Sequence, residues 1–164
     1  MDKVITTTFL IIVSVICATL VFNAVYPAII QSSDAMTNMK SRVDDRLKSQ
    51  IAIIHAAGNT GSSSAFVWVK NVGSLSIKAV ESCDVILGPE GNFARIPHDD
   101  EPDRPPHPYW TYEVSGDDSY WTPTATLQIT VTHESVLAQG IYFVKVVIPN
   151  GISDEDYFSV SVSE

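Results

Sequence analysis

The sequence lacks the usual equipment of covalent chemistry. It contains no Gly-x-Ser-x-Gly, no phosphate-binding glycine loop and no zinc-type pairing of Cys or His. Those absences remove the common signatures of hydrolases, nucleotide enzymes and zinc centres, so neither an enzyme nor a cofactor is expected. Cysteine is confined to Cys17 and Cys83. The first lies inside a long apolar run and the second far beyond it, so no intrachain disulfide is expected and any folded part must rest on its core. No Asn-X-Ser/Thr occurs, which argues against N-glycosylation. Positive charge is also scarce. From residue 51 onward 15 acidic residues stand against 5 basic ones, leaving that part near −10. Nucleic-acid binding needs a basic footprint, so no such partner is expected; cations or a basic partner suit this surface better.

Apolar residues, by contrast, are concentrated at one end. Residues 4–33 carry no formal charge and are bounded by Lys3 and Asp34. A helix of that length reaches roughly 45 Å, more than the ~30 Å hydrocarbon core of a bilayer. Phe9, Leu10, Ile11, Ile12, Val13, Val15, Ile16, Leu20, Val21 and Phe22 surround the helix rather than striping it. Such a segment belongs in lipid or in the dry centre of a bundle. The run is about twice the length of a secretory h-region, which favours a retained anchor over a cleaved signal. Pro27 removes the hydrogen bond to the Asn23 carbonyl and predicts a kink of the kind membrane helices tolerate.

Past residue 33 the helix is expected to continue with a changed character. Met36, Met39, Val43, Leu47, Ile51 and Ile54 recur at steps of three and four, while Asp44 and Lys48 form an i,i+4 pair on the wet side. Residues 50–57 lean to strand. Beyond them, β-branched and aromatic runs at 65–71, 75–82, 84–87, 92–96, 109–115, 124–132, 140–148 and 157–163 are separated by Gly-, Pro- and Asn-rich turns, among them 116–118. Ala125, Leu127, Ile129 and Val131 share one face of their strand, as do Phe158, Val160 and Val162 of theirs. Seven to nine short strands without a second helix predict an α+β chain: a long N-terminal apolar helix followed by an antiparallel immunoglobulin-like β-sandwich. The predicted divisions are a transmembrane or filament-core helix over 1–33, an amphipathic extension over 34–49 and an acidic sandwich over 50–164.

One stretch, 97–108, packs five prolines and four acids into twelve residues and reads as an exposed irregular loop. Asp99, Asp100 and Asp103 are its weak candidates for a hard cation, and His98 with His107 for a transition ion; prolines separate them and no calcium-loop glycine pattern is present. A solvated loop is the favoured reading there. His55 and His133 read as packing or surface residues. Trp68, Trp110 and Trp121 read as packing residues before a sugar platform.

The helix-to-strand junction reads Arg42-Val43-Asp44-Asp45-Arg46-Leu47-Lys48-Ser49-Gln50-Ile51, and Val67-Trp68-Val69-Lys70-Asn71-Val72-Gly73 follows soon after. With the apolar helix ahead of them, these segments resemble the archaeal flagellum (archaellum) accessory proteins of the FlaG/FlaF type, which are archaellin- and pilin-like in plan. The resemblance covers most of the chain and rests on structural motifs. It implies a non-enzymatic structural component of the motility apparatus, held in the cytoplasmic membrane, with its sandwich extracytoplasmic in the envelope beneath the surface layer and linking the motor to that envelope in a stator-like way. Other archaellum accessory proteins and the surface-layer protein are the partners it implies. Archaellin and pilin precursors carry a basic leader ending in Lys/Arg-Gly. Only Met1-Asp2-Lys3 stands before this helix, so pilin-type processing is not expected.

Self-association, as a homo-oligomer or filament, is expected through Phe9, Ile12, Val13, Ile16, Leu20, Met36, Met39, Val43 and Leu47. Two alternatives stand beside the stator-like reading. One is a pilin- or archaellin-like subunit whose helix forms a fibre core, and the other a membrane-tethered cation- or glycan-binding module. Lys and Arg are more frequent on the C-terminal side of the helix, which by the positive-inside rule places the domain in the cytoplasm, opposite to what the resemblance implies.

Overall fold

A computed structural model of the chain describes residues 2–116 and 120–162. The chain divides into two compact units, 1–44 and 45–164. The first is part of a single helix, α1 (Asp2–Lys48), which runs through Pro27 and buries none of its residues. In its membrane-like portion the hydroxyls of Thr6, Thr7, Thr8, Ser14 and Thr19 donate back to carbonyls three or four residues earlier. These polar side chains are thereby satisfied within the helix, which keeps it compatible with hydrocarbon.

The second unit contains eight strands: β1 (Ile51–Asn59), β2 (Ser64–Asn71), β3 (Asp84–Pro89), β4 (Ala94–Ile96), β5 (Tyr109–Val114), β6 (Thr126–Thr132), β7 (Gly140–Val147) and β8 (Ser153–Ser161). They form one hydrogen-bonded sheet in the order β4-β3-β7-β8-β1-β2-β6-β5. Every pairing is antiparallel except β1 with β8. Most of β1 pairs with β2, and its last residues, Gly58 and Asn59, pair with Val160 and Ser161 of β8. β1 therefore joins two four-stranded halves whose inner faces share one core. Val85, Leu87, Val144, Val146 and Val160 contribute from one half and Val67, Val69, Trp110, Leu127, Ile129 and Val131 from the other. The period-two alternation dictates this burial, since residues two apart on a strand lie on one face.

The sandwich is nearly closed. Residues just after β4 meet the start of β5: the Asp99 N–H donates to the Trp110 carbonyl and the Trp110 N–H to the Pro97 carbonyl, each at 3.0 Å. The expectation that 97–108 is an exposed irregular loop fails at this point, where His98 is buried and bridged to Trp110. Proline lacks a donor but keeps its carbonyl, so Pro97 can end a bridge that closes the sheet edges.

Three segments depart from the sequence reading. The strand expected over 75–82 is an irregular crossing between the two halves, with one bridge from Ile77 to Trp121 and a 3-10 turn over Val80–Ser82. Its buried Ile77 and Val80 mimic a strand pattern while serving as plugs. β6 starts at Thr126 because Thr124 takes a positive φ of 70° after Pro123. β8 starts at Ser153, earlier than the apolar run suggests, because Asp154 and Glu155 find partners: Asp154 accepts from the Ile53 N–H at 2.7 Å and Glu155 pairs with Lys145 at 2.7 Å. The turn residues Asp117 and Asp118 and the expected strand end Ser163 lie outside the described residues.

Candidate functional site

The functional geometry of this chain consists of surfaces and the joints that hold them. The joint where the chain enters the sandwich is built by the Asn71-Val72-Gly73 turn. The Ser74 N–H donates to the Lys48 carbonyl at 2.8 Å, and the N–H groups of Val72 and Gly73 both donate to the Gln50 carbonyl at 2.9 Å. A Cβ on Gly73 would lie 2.4 Å from the Lys48 carbonyl oxygen and 2.6 Å from the Gln50 nitrogen, so only glycine permits this approach. Asn71 is fully buried. Its amide donates to the carbonyls of Leu75 (2.9 Å) and Trp121 (3.0 Å), and its side-chain oxygen accepts from the Gly73 N–H (3.0 Å). Arg46 adds a bond from Nε to the Asn150 carbonyl at 3.1 Å, and Ser49 is buried.

The residues expected to mediate self-association are all exposed within the chain: Phe9, Ile12, Val13, Ile16, Leu20, Met36, Met39, Val43 and Leu47. They span both the apolar and the amphipathic portions of α1.

The acidic loop holds its carboxylates against arginines rather than against one another. Arg95 donates to Asp84 at 2.6 Å and makes a two-pronged contact with Glu101, both prongs 3.0 Å. These bonds hold the Glu101 carboxyl below its usual range and raise the Arg95 guanidinium further. Arg104 pairs with the Asp99 carboxylate, donates to the Asp99 carbonyl at 2.7 Å and lies 4.5 Å over the Tyr109 ring. Asp100 remains exposed, and Asp103 is exposed with a positive φ of 61°. Among the described residues no three metal-ligating side chains of the His, Cys, Asp and Glu types come together.

His98 is 8% exposed and meets the Trp110 ring edge-on at 4.5 Å, while its Nδ1 accepts from the Asp100 N–H at 3.2 Å. That nitrogen is thus occupied within the loop. Trp110 and Trp121 are core residues, whereas Trp68 is only partly covered on the outer face, between His55 (5.3 Å) and Phe66 (6.0 Å). Beside it lies a groove of about 300 Å³ lined by Trp68, Glu113, Ser115, Thr126 and Gln128. A sequence reading can see the tryptophan; the groove depends on the β2-β6-β5 neighbourhood and is not visible in any one segment. Cys83 is buried, and burial next to Asp84 and Glu81 pushes its thiol up to about 12.

No family model matches the chain, and no curated protein matches it. Solved structures do. The archaellum periplasmic stator protein FlaG from Sulfolobus acidocaldarius is similar over 67% of this chain and 99% of its own, at 25% identity and a TM-score of 0.57. The chain resembles archaellum accessory proteins of the FlaG type. The archaellum periplasmic stator complex of FlaF and FlaG from the same organism is similar over 66% of this chain and 88% of its own, at 25% identity and a TM-score of 0.55. The likeness agrees with the α+β fold of this chain, a long N-terminal helix followed by a mostly antiparallel eight-stranded sheet.

Proposed function

We propose that this FlaG-like chain is a stator-type structural component of the archaellum, anchored in the cytoplasmic membrane by α1 and presenting its acidic sandwich on the extracytoplasmic side. The observation that carries the reading is the likeness to the FlaG stator protein, which extends over 99% of that chain. An apolar helix that buries none of its residues supports the anchor, because lipid or other apolar helices must cover such a surface. The likeness to a FlaF–FlaG complex supports an accessory protein of the same apparatus as partner, and the surface-layer protein is the further contact on the envelope side.

In this reading Phe9, Ile12, Val13, Ile16 and Leu20 pack between copies within the membrane, and Met36, Met39, Val43 and Leu47 extend that seam beyond it. Protease accessibility of the sandwich in intact cells and in inverted vesicles tests the topology. Cleavage only from the cytoplasmic side overturns the proposal. Self-association is tested separately on the full chain in detergent, where Val43→Asp and Leu47→Asp should reduce the oligomer; a strict monomer unaffected by either change removes that part.

A pilin-like fibre subunit is the second reading, favoured by the uninterrupted 47-residue helix. Fibres with the helix in their interior would select it.

A further inference from the structure

The second unit satisfies its cations more fully than its anions. Of the five basic residues from residue 51 onward, Arg95, Arg104 and Lys145 pair with carboxylates, and Lys78 lies 5.7 Å from the centre of the Tyr120 ring. Arg104 shows how this chain holds a guanidinium: it pairs with the Asp99 carboxylate while lying 4.5 Å over the Tyr109 ring. An aromatic ring and a carboxylate also meet at the groove beside Trp68. Among the described residues no cation pairs with that carboxylate, Glu113.

The register builds this groove. Trp68 is opposite Gln128 in the pair of β2 and β6, and Gln128 is opposite Glu113 in the pair of β6 and β5. Residues directly across antiparallel strands share a face. The flanking Val67, Val69, Leu127 and Ile129 are buried, so the row of Trp68, Gln128 and Glu113 faces outward. With strands ~4.8 Å apart, the Trp68 and Glu113 backbones stand roughly 10 Å from each other. The indole closes part of that gap, because its Nε1–H donates to Gln128 Oε1 at 3.2 Å and turns the ring toward β6. Phe66 takes the row on one side of the indole, and the groove opens on the other, where Thr126 and Ser115 form the next row. The Ser115 N–H donates to the Thr126 carbonyl at 2.8 Å and fixes that wall. Lys70, opposite Thr126, is not part of the lining.

We infer that this groove of about 300 Å³ is a seat for an arginine side chain of a partner protein. The guanidinium lies against the indole and donates to the Glu113 carboxylate, with Gln128 Oε1 as a further acceptor. A planar guanidinium both stacks on aromatic faces and forks onto a carboxylate, whereas a lysine ammonium is a compact, strongly hydrated charge. Charge complementarity selects the partner. With 15 acidic residues against 5 basic ones, the unit attracts a basic segment and repels an acidic one.

This inference does not rest on the stator reading. The test titrates the isotope-labelled full chain, in uncharged detergent at pH 7 and about 0.15 M salt, with hexa-arginine amide. Binding is followed at the indole and backbone N–H resonances. The expected result is saturable binding that shifts the Trp68 indole and leaves the Trp121 indole, buried and bonded to the Ala125 carbonyl, in place. Hexa-lysine amide binds at least about three-fold more weakly. Trp68→Ala and Glu113→Gln each weaken hexa-arginine binding at least about three-fold, the low end for a cation–π contact or a charge-assisted bond. Glu90→Gln, which removes another exposed carboxylate from the turn between β3 and β4, changes it by less than about two-fold. A Trp68 indole unmoved at about 1 mM peptide overturns the proposal. So does hexa-lysine binding as tight as hexa-arginine, or a Glu113→Gln variant no weaker than Glu90→Gln. The first two outcomes are read on the unmodified chain, so they decide the matter even if Trp68→Ala fails to fold.

Discussion

Asn71→Ala is the sharpest probe of how this chain is held together. The side chain is fully buried and makes three hydrogen bonds, to the carbonyls of Leu75 and Trp121 and from the Gly73 N–H. Truncation does not strand all three partners equally. The Trp121 carbonyl still accepts from the Ile77 N–H at 2.9 Å, and the Gly73 N–H still donates to the Gln50 carbonyl. The Leu75 carbonyl loses the bond described for it. With a net value of about 0.5–1.5 kcal/mol for each lost bond and about 1–3 kcal/mol for a stranded buried group, the expected loss is about 2–4 kcal/mol. Asn71→Asp distinguishes hydrogen bonding from side-chain volume. It keeps the acceptor for Gly73 but sets a carboxylate against two carbonyl oxygens, so at pH 7 it should destabilise more than alanine, with the gap narrowing toward pH 4 as the carboxyl protonates. The assay is urea unfolding of the full chain in mild detergent, followed by tryptophan fluorescence. A loss below about 1 kcal/mol for alanine, or an aspartate variant milder than alanine, would refute the account of this turn.

The other expectations concern neighbouring features. Gly73→Ala forces a Cβ onto the backbone of Lys48 and Gln50, so it should cost about 1–3 kcal/mol or more and open the joint to limited proteolysis; an unaltered cleavage pattern would contradict the close approach. His133 has a lowered pKa in the folded chain, so the unfolded state binds its proton more readily. Stability should fall as pH drops through the ordinary histidine range near about 6.5, and His133→Gln should flatten that slope in thermal melts. Arg95→Ala should return the Glu101 carboxyl toward its usual titration range in an NMR pH series, since Arg95 is the main cause of its depression; no movement would remove that cause. Cys83 should resist iodoacetamide at pH 8.5 in the native chain and react in denaturant, because its thiol is buried and raised to about 12; rapid native labelling would contradict its burial.

Much of the fold was legible because the relevant signals are local. The charge-free run at 4–33 and the alternation in Leu127, Ile129 and Val131 report helix and strand directly, and those three side chains are fully buried. The misreadings occur where a distant partner decides the outcome. Ile77 and Val80 look like strand residues, yet their burial follows from crossing between the halves. Asp154 and Glu155 look like turn residues, yet Ile53 and Lys145 allow them into β8. Pro97 and Asp99 look incapable of pairing, yet Trp110 supplies a donor and an acceptor.

In the stator reading a load reaches the folded unit through its first strand, and the second unit braces that strand from within. Chain leaving α1 at Lys48 passes directly into β1, which pairs with β2 along most of its length and with β8 at its end. Both halves of the sandwich therefore hold the first strand of the second unit. The carbonyls of Lys48 and Gln50 are bonded by three backbone N–H groups from a turn whose glycine admits no side chain, and whose asparagine reaches Trp121 in the core. Tension applied at residue 48 meets this cluster before it can peel β1 from its neighbours. A flexible Gly/Ser linker at the same place would let a domain diffuse on a tether, which suits a binding module better than a force-bearing element. The Asn71-Val72-Gly73 turn is consequently more than a strand end: it is the feature by which the stator and tethered-module readings make different demands on the same residues.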